Sequence, residues 1–186
     1  MDKTRIAEAF SRFNTDKGPR RHSYHFAYAD IFLNVEPTKI LEIGVQQGRS
    51  IAAWQDLFPK AIVHGVDIKK QDLIYPARDM PVFIGNSLDK RFIDTTLDKD
   101  YDIIIDDGDH RPDAQWATFL NLKDSWKKYY VIEDIISEQN EIVLRRRFRS
   151  VGIKNVVSYR SAFRGDVQVR GEMVNSAFFI MVVTRE

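Results

Sequence analysis

Short, continuously apolar runs alternate along this chain with stretches whose apolar residues recur at a helical period. Lys39 to Ile43, Ile62 to Val66, Val82 to Ile84, Asp102 to Ile105 and Tyr130 to Ile132 read as strands covered on both faces, because none shows the strict alternation of a half-exposed sheet. Between them lie helical patterns at Ser50 to Phe58, Asp89 to Leu97 and Pro112 to Trp126, and a further helix is expected around Glu138 to Phe148. This repeated βα order predicts an α/β chain, doubly wound, with a mostly parallel sheet and helices on both faces. Upstream, Ile6, Ala9, Phe10 and Phe13 keep a helical period that Asn14 to Pro19 breaks, and a second helix is expected from about Ser23 to Asn34. Downstream, Lys154 to Tyr159 and Ala177 to Thr184 read as two strands joined by a polar segment with two glycines. They bring the sheet to seven strands, with an antiparallel C-terminal strand closing it.

The candidate chemistry sits where strands end. The apolar run Ile103 to Ile105 leads into Asp106-Asp107-Gly108-Asp109-His110, and the run from Tyr129 to Ile132 leads into Glu133-Asp134. In an open α/β sheet, ligands collect outside the carboxyl ends of the strands, so neighbouring strands ending this way aim their acids at one place. Such a cluster suits a hard divalent metal with a base beside it. Asp and Gly also form solvated turns, and Glu-Asp can cap a following helix, so either block alone has a purely structural reading.

The first predicted strand runs into Glu42-Ile43-Gly44-Val45-Gln46-Gln47-Gly48-Arg49-Ser50. Glycines here let the backbone turn tightly and approach a ligand, and the next helix offers unpaired N–H donors. The Gly-x3-Gly spacing differs from the dinucleotide fingerprint, and steric need alone also explains glycine in a tight turn. Asp67 ends the second strand about 20 residues later, where an acid can accept hydrogen bonds from both ribose hydroxyls of a nucleoside.

Composition narrows the choice of partner. Lys plus Arg is 28 against 27 Asp plus Glu, a net charge of +1, so charge alone makes no case for nucleic acid or a membrane. The absence of cysteine excludes disulfides, thiolate metal sites and a cysteine nucleophile. No segment approaches the roughly 20 apolar residues that span a bilayer, and Met1 to Phe13 lacks a signal-peptide core. A soluble, cytoplasmic protein is expected.

Together, Glu42 to Ser50, Asp67, the Asp106 to His110 block and Val131-Ile132-Glu133-Asp134 resemble the class I S-adenosylmethionine-dependent methyltransferases. More narrowly, they resemble the metal-dependent O-methyltransferases of macrolide sugars, the macrocin and mycinamicin type. Thr15-Asp16-Lys17-Gly18, with His22, Tyr24 and Tyr28, is similar to that family's N-terminal signature. The chain departs from it at Lys127-Lys128-Tyr129, where the family has Gly-Gly.

The resemblance implies a Rossmann-like domain over residues 1–186, with a helical segment at 1–36 covering the site and the core at 37–186. It implies S-adenosylmethionine held by Glu42, Gly44, Gly48, Ser50 and Asp67, with Asn86 or Ser87 near the adenine and Asp106 toward the cofactor or its loop. Asp107, Glu133 and Asp134 are the implied Mg²⁺ ligands and His110 the general base, while His22, Tyr24 and Tyr28 are candidates for the substrate pocket. The acceptor would be a small-molecule hydroxyl, on a sugar or other vicinal diol of a natural product. With 186 residues there is little room for an extra oligomerisation domain or a long substrate lid, which weighs against a macrolide-sized acceptor. A homo-oligomer is compatible with this reading.

Two other functions remain open at this level. Arg145-Arg146-Arg147-Phe148-Arg149 would serve a nucleic-acid 2′-O-methyltransferase, although basic residues near a helix C-terminus ordinarily complement its dipole. A non-catalytic S-adenosylmethionine-binding module is the other. His64, inside an apolar strand, and Trp54, Trp116 and Trp126, on helical patterns, read as structural.

Overall fold

The structure, a computed structural model, describes residues 1–33, 35–75, 81–169 and 172–185, and over 162–169 and 172–177 its backbone alone. Helices α1 (Lys3–Arg12) and α2 (His25–Leu33) precede strand β1 (Lys39–Ile43). There follow α3 (Arg49–Leu57), β2 (Ile62–Asp67), β3 (Val82–Ile84), α4 (Lys90–Thr96), β4 (Tyr101–Asp106), α5 (Pro112–Leu122), β5 (Trp126–Ile135), α6 (Glu138–Ser150), β6 (Val156–Val169) and β7 (Glu172–Thr184). The sheet order is β3-β2-β1-β4-β5-β7-β6, with β7 antiparallel to both its neighbours and the other pairings parallel. This is the expected seven-stranded, doubly wound sheet.

Alternate residues of each central strand enter different cores, which is why the strands read as unbroken apolar runs. Ile40, Val63, Ile103, Ile105 and Val131 join α1, α2 and α3 in one cluster, where Phe10, Tyr28 and Trp54 are fully buried. Leu41, Val66, Ile104, Tyr130 and Ile132 join α4, α5 and α6 in the other, around Phe119 and Phe148. Burying such large side chains contributes about 1.5–3 kcal/mol each and holds the sheet between two helical layers.

Two expectations are corrected. The helical pattern expected to reach Trp126 ends at Leu122; Trp126 instead opens β5, paired with Tyr101 and lying under the Arg185 guanidinium, 4.5 Å from its ring centre. The polar segment expected between the last two strands is itself paired backbone from Arg164 opposite Ala177 to Val169 opposite Glu172. Its second glycine, Gly171, lies outside the described residues.

Strand order reverses between β1 and β4, so the connections from their carboxyl ends run to opposite faces of the sheet and leave a crevice. Gly44 and Asp107 meet there: the Asp107 N–H donates to the Ile43 carbonyl at 2.9 Å, and the Gly44 N–H to the Val66 carbonyl at 2.8 Å. Gly44 has φ +91°, and a Cβ on it would stand 2.0 Å from the Asp107 carbonyl oxygen. Only glycine fits this junction.

Candidate active site

A cleft of about 890 Å³ opens at this switch point, lined among others by Gly44, Ser50, Asp67, Asn86, Ser87, Asp107, His110 and Asp134. Asp67 accepts from the N–H groups of Val45 (3.2 Å) and Gln46 (2.9 Å) through Oδ2, and from the Lys69 N–H (3.1 Å) through Oδ1. The carboxylate at the end of β2 thus clamps the turn after β1. Asn86 Oδ1 caps its own turn at the Leu88 N–H, and Ser87 Oγ lies 3.1 Å from Thr118 Oγ1.

Glu42, Gly48 and Asp106, expected at the cofactor, do not line the cleft. Glu42 is fully buried beneath it and accepts from Trp54 Nε1 at 3.0 Å. Gly48 caps α3 with φ +74°, leaving Arg49 and Ser50 to face the cleft. Asp106 turns to the opposite core, because consecutive residues of a strand point to opposite faces. Tyr130 Oη donates to it at 3.3 Å and the Gly108 N–H at 3.4 Å, and burial raises its carboxyl to about 7 against the pull of these donors.

The acids of β4 and β5 meet a residue to which sequence analysis assigned no role. Lys17, 1% exposed, donates to Asp107 Oδ2 at 2.6 Å and Glu133 Oε2 at 2.5 Å, with Glu42 Oε1 at 3.3 Å. Burial alone would lower its ammonium, but the charges of Asp107, Glu133 and Glu42 outweigh that and raise it, keeping it charged. The available signal was an imbalance: acids gathering at strand ends, and one lysine in the turn ahead of α2.

Consecutive strand residues should diverge, yet Glu133 and Asp134 both face the segment between α1 and α2. A register shift in β5 between Ile132 and Ile135 coincides with φ +50° at Asp134. This bulge turns both acids one way, a device that recurs beside active sites and that aspartate tolerates better than most residues. The Gln115 side chain braces it from α5 by donating to the Glu133 carbonyl at 3.0 Å.

Tyr24 and Tyr28, expected against substrate, are buried and bound to these acids instead. Tyr24 Oη donates to Asp134 Oδ1 at 2.7 Å, and Tyr28 Oη to Glu133 Oε1. Tyr28 packs on Phe10 and Trp54, and Tyr24 on His22, leaving each hydroxyl to orient a carboxylate. His22 Nδ1 lies 3.7 Å from Asp134 Oδ1, its ring stacked on Tyr24.

Asp107, His110 and Asp134 offer ligand atoms that all lie within 4.8 Å of one another. Glu133 stands outside this group, its two oxygens taken by Lys17 and Tyr28. Burial raises the Asp134 carboxyl, helped by the charge of Asp107, while Lys17 and His110 hold Asp107 low despite its burial. Burial would lower His110, but the Asp107 hydrogen bond and the charges of Asp134 and Asp107 outweigh it and raise the imidazole to about 9. Three buried acids, Glu42, Glu133 and Asp134, and the half-buried Asp107 leave the cluster around Lys17 and His110 short of positive charge, and its carboxylate oxygens suit a hard divalent cation better than a soft one.

The residues without a chemical role are also accounted for. Asp109 is taken by Arg111, and His64 Nδ1 lies 2.8 Å from Tyr101 Oη. Arg145 holds Glu141, the Val156 carbonyl and Ser158, while Arg147 holds the Pro112 carbonyl and Asp113. Trp116 packs on Phe119 and Phe148. Among the described residues, no helix is long and apolar enough to cross a membrane.

No protein-family model and no curated protein matches the chain. Solved structures do. MycE methyltransferase from the mycinamycin biosynthetic pathway, in complex with Mg and SAH, is 28% identical with a TM-score of 0.62; the match covers 69% of this chain and 36% of MycE. The O-methyltransferase from Bacillus cereus in complex with SAH is 15% identical with a TM-score of 0.57, covering 100% of this chain and 92% of that one. TomG of Streptomyces achromogenes, an O-methyltransferase of tomaymycin synthesis in complex with SAM, is 15% identical with a TM-score of 0.56, covering 99% and 89%. The chain spans about a third of the length of MycE and nearly the whole of the other two. The chain thus shares the Rossmann-like fold of these S-adenosylmethionine-dependent O-methyltransferases.

Proposed function

We propose that this protein transfers a methyl group from S-adenosylmethionine to a hydroxyl of a small molecule, a sugar or other vicinal diol, with the help of Mg²⁺. The observation that carries this reading is convergence: the glycine turn after β1, Asp67 at the end of β2 and the acid–imidazole cluster, Asp107 and His110 after β4 with Asp134 at the bulge near the end of β5, open on one cleft. MycE, similar over 69% of this chain, was solved with Mg, SAH and mycinamycin VI.

In this reading Asp67 takes the ribose hydroxyls, with Gly44 giving the cofactor close approach and Asn86 and Ser87 beside its adenine. Asp107 and Asp134 hold the ion; Glu133, engaged by Lys17 and Tyr28, shapes the site around them. Bound there, Mg²⁺ would make an acceptor hydroxyl more acidic and fix its orientation, which an in-line displacement at a sulfonium methyl requires. His110 is left to take the hydroxyl proton, since magnesium prefers oxygen to imidazole nitrogen and a cation on Asp107 and Asp134 would offset the negative charge that otherwise keeps the imidazole protonated. The Asp107–His110 contact, 3.5 Å from Oδ1 to Nε2, aims the ring.

Titration of SAH into the full chain tests cofactor binding, and methyl transfer to a panel of diols, with Mg²⁺ and after chelation, tests the reaction. Chelation and His110→Ala are each expected to abolish transfer with SAH binding retained. Normal turnover in either condition overturns the assigned chemistry. Intramolecular engagement of Arg145 and Arg147 withdraws two of the cations on which the nucleic-acid alternative relied.

A further inference from the structure

The segment between α1 and α2 turns one cation inward and two outward. Lys17 is buried against three carboxylates, whereas Arg20 and Arg21 are exposed and line the cleft. Their turn is well braced: the His22 N–H donates to the Asp16 carbonyl at 2.9 Å, and the N–H groups of Ser23 and Arg21 to the Gly18 carbonyl at 3.0 and 3.2 Å. His22, adjacent to Arg21, lies 3.7 Å from Asp134. Both arginines thus stand on a braced turn that lines the same cleft as the acid–imidazole cluster.

Four arginines and five aspartates line the cleft, and most of the acids are already engaged. Asp109 is taken by Arg111, Asp67 by backbone N–H groups, and Asp107 and Asp134 belong to the cluster that the proposed reaction gives to a divalent ion. Asp16 alone is left to answer Arg20, Arg21 and Arg49. Arg49 opens α3 at the glycine turn, on the cofactor side. Among the described residues, Arg20 and Arg21 form no ion pair. A guanidinium fork matches the paired oxygens of phosphate or carboxylate, and a concave site with unanswered positive charge concentrates anions.

We propose that the methyl acceptor carries an anionic group, phosphate or carboxylate, which Arg20 and Arg21 hold while its hydroxyl lies beside His110. This rests on the methyltransferase reading and gives its acceptor a chemical class. A neutral sugar would leave both guanidinium groups without a partner at the mouth of the site.

Isothermal titration of the full chain, saturated with SAH and Mg²⁺, compares two matched pairs: glucose 1-phosphate against glucose, and 3,4-dihydroxybenzoate against catechol. At least one anionic member is expected to bind about tenfold more tightly than its neutral counterpart, the worth of one charge-assisted contact. Which pair shows the preference tells phosphate from carboxylate. Arg20→Gln/Arg21→Gln should erase the preference and leave SAH affinity within about twofold, an insignificant change in free energy. The proposal is overturned if neither anionic member is preferred, if the preference survives in the double variant, or if that variant loses SAH, which would assign the arginines to the cofactor. Failure of the unaltered chain to bind SAH strikes the methyltransferase reading itself and is read separately, before any acceptor is added.

Discussion

Strand β4 carries a buried aspartate near each end, and the two are treated in opposite ways. At the amino end, Asp102 Oδ2 accepts from the Thr38 N–H and Thr38 Oγ1, both at 2.7 Å, and from the Lys39 N–H at 3.3 Å, with Lys128 Nζ 4.0 Å from Oδ1. Burial would raise its carboxyl, but the Thr38 donors and Lys128 outweigh it, and it is lowered. At the carboxyl end, Asp106 is raised to about 7, and beyond it Asp107 shares one lysine with Glu42 and Glu133. The same residue type is a finished structural joint where fixed donors saturate it, as at Asp102, is pushed up where burial outweighs its donors, as at Asp106, and belongs to a candidate site at Asp107, just past the strand, where acids outnumber cations.

Removing the inner cation should have the largest effect on stability. Lys17→Met leaves Glu42, Asp107 and Glu133 buried without their counter-charge and is expected to cost about 3–5 kcal/mol, read from the urea midpoint. Adding Glu133→Gln should recover part of that loss, and strict additivity in the double-mutant cycle would refute the coupling.

The reverse sign is expected where negative charge is in surplus. Asp134→Asn should leave stability unchanged or higher while methyl transfer falls by at least roughly 10–100-fold, the loss usual even for groups that only support metal ligands. A destabilised variant that keeps full activity would show the carboxyl end to be structural like the amino end.

Asp102→Asn should cost about 1–2 kcal/mol at pH 7, because the Thr38 and Lys39 donors lose their carboxylate. Since its folded-state pKa is lowered, its stabilisation is complete above the unfolded value of about 3.9 and is lost as pH falls through the lower folded value. The gap between variant and parent should therefore close in acid, and a gap independent of pH would argue against an ionised joint. Smallest of all, Asp109→Ala breaks an exposed pair with Arg111 and should leave the thermal midpoint within experimental error.

Much of this was legible before folding. The apolar runs located the strands because each is buried on two faces, and Gly44, Asp67 and the two acidic blocks stood out because their positions after strands carry chemical meaning. Tyr24 and Tyr28 read equally well as a pocket wall or as part of a buried helix, since no local pattern shows that each hydroxyl lies on a carboxylate. Trp126 was placed on a helix because its pairing with Tyr101, 25 positions away, leaves no local trace.

By itself, then, the amino-acid sequence determined the doubly wound order, the site at the strand ends and the kind of chemistry its acids can support, all of which depend on local period and residue type. Tertiary structure alone decided that Lys17 neutralises acids from three strands, that a bulge turns Glu133 and Asp134 to one side, and that Arg20 and Arg21 face the cleft. The Lys17 pairings span 25 residues to Glu42, 90 to Asp107 and 116 to Glu133, and pairing over such separations is settled only when the chain closes around it.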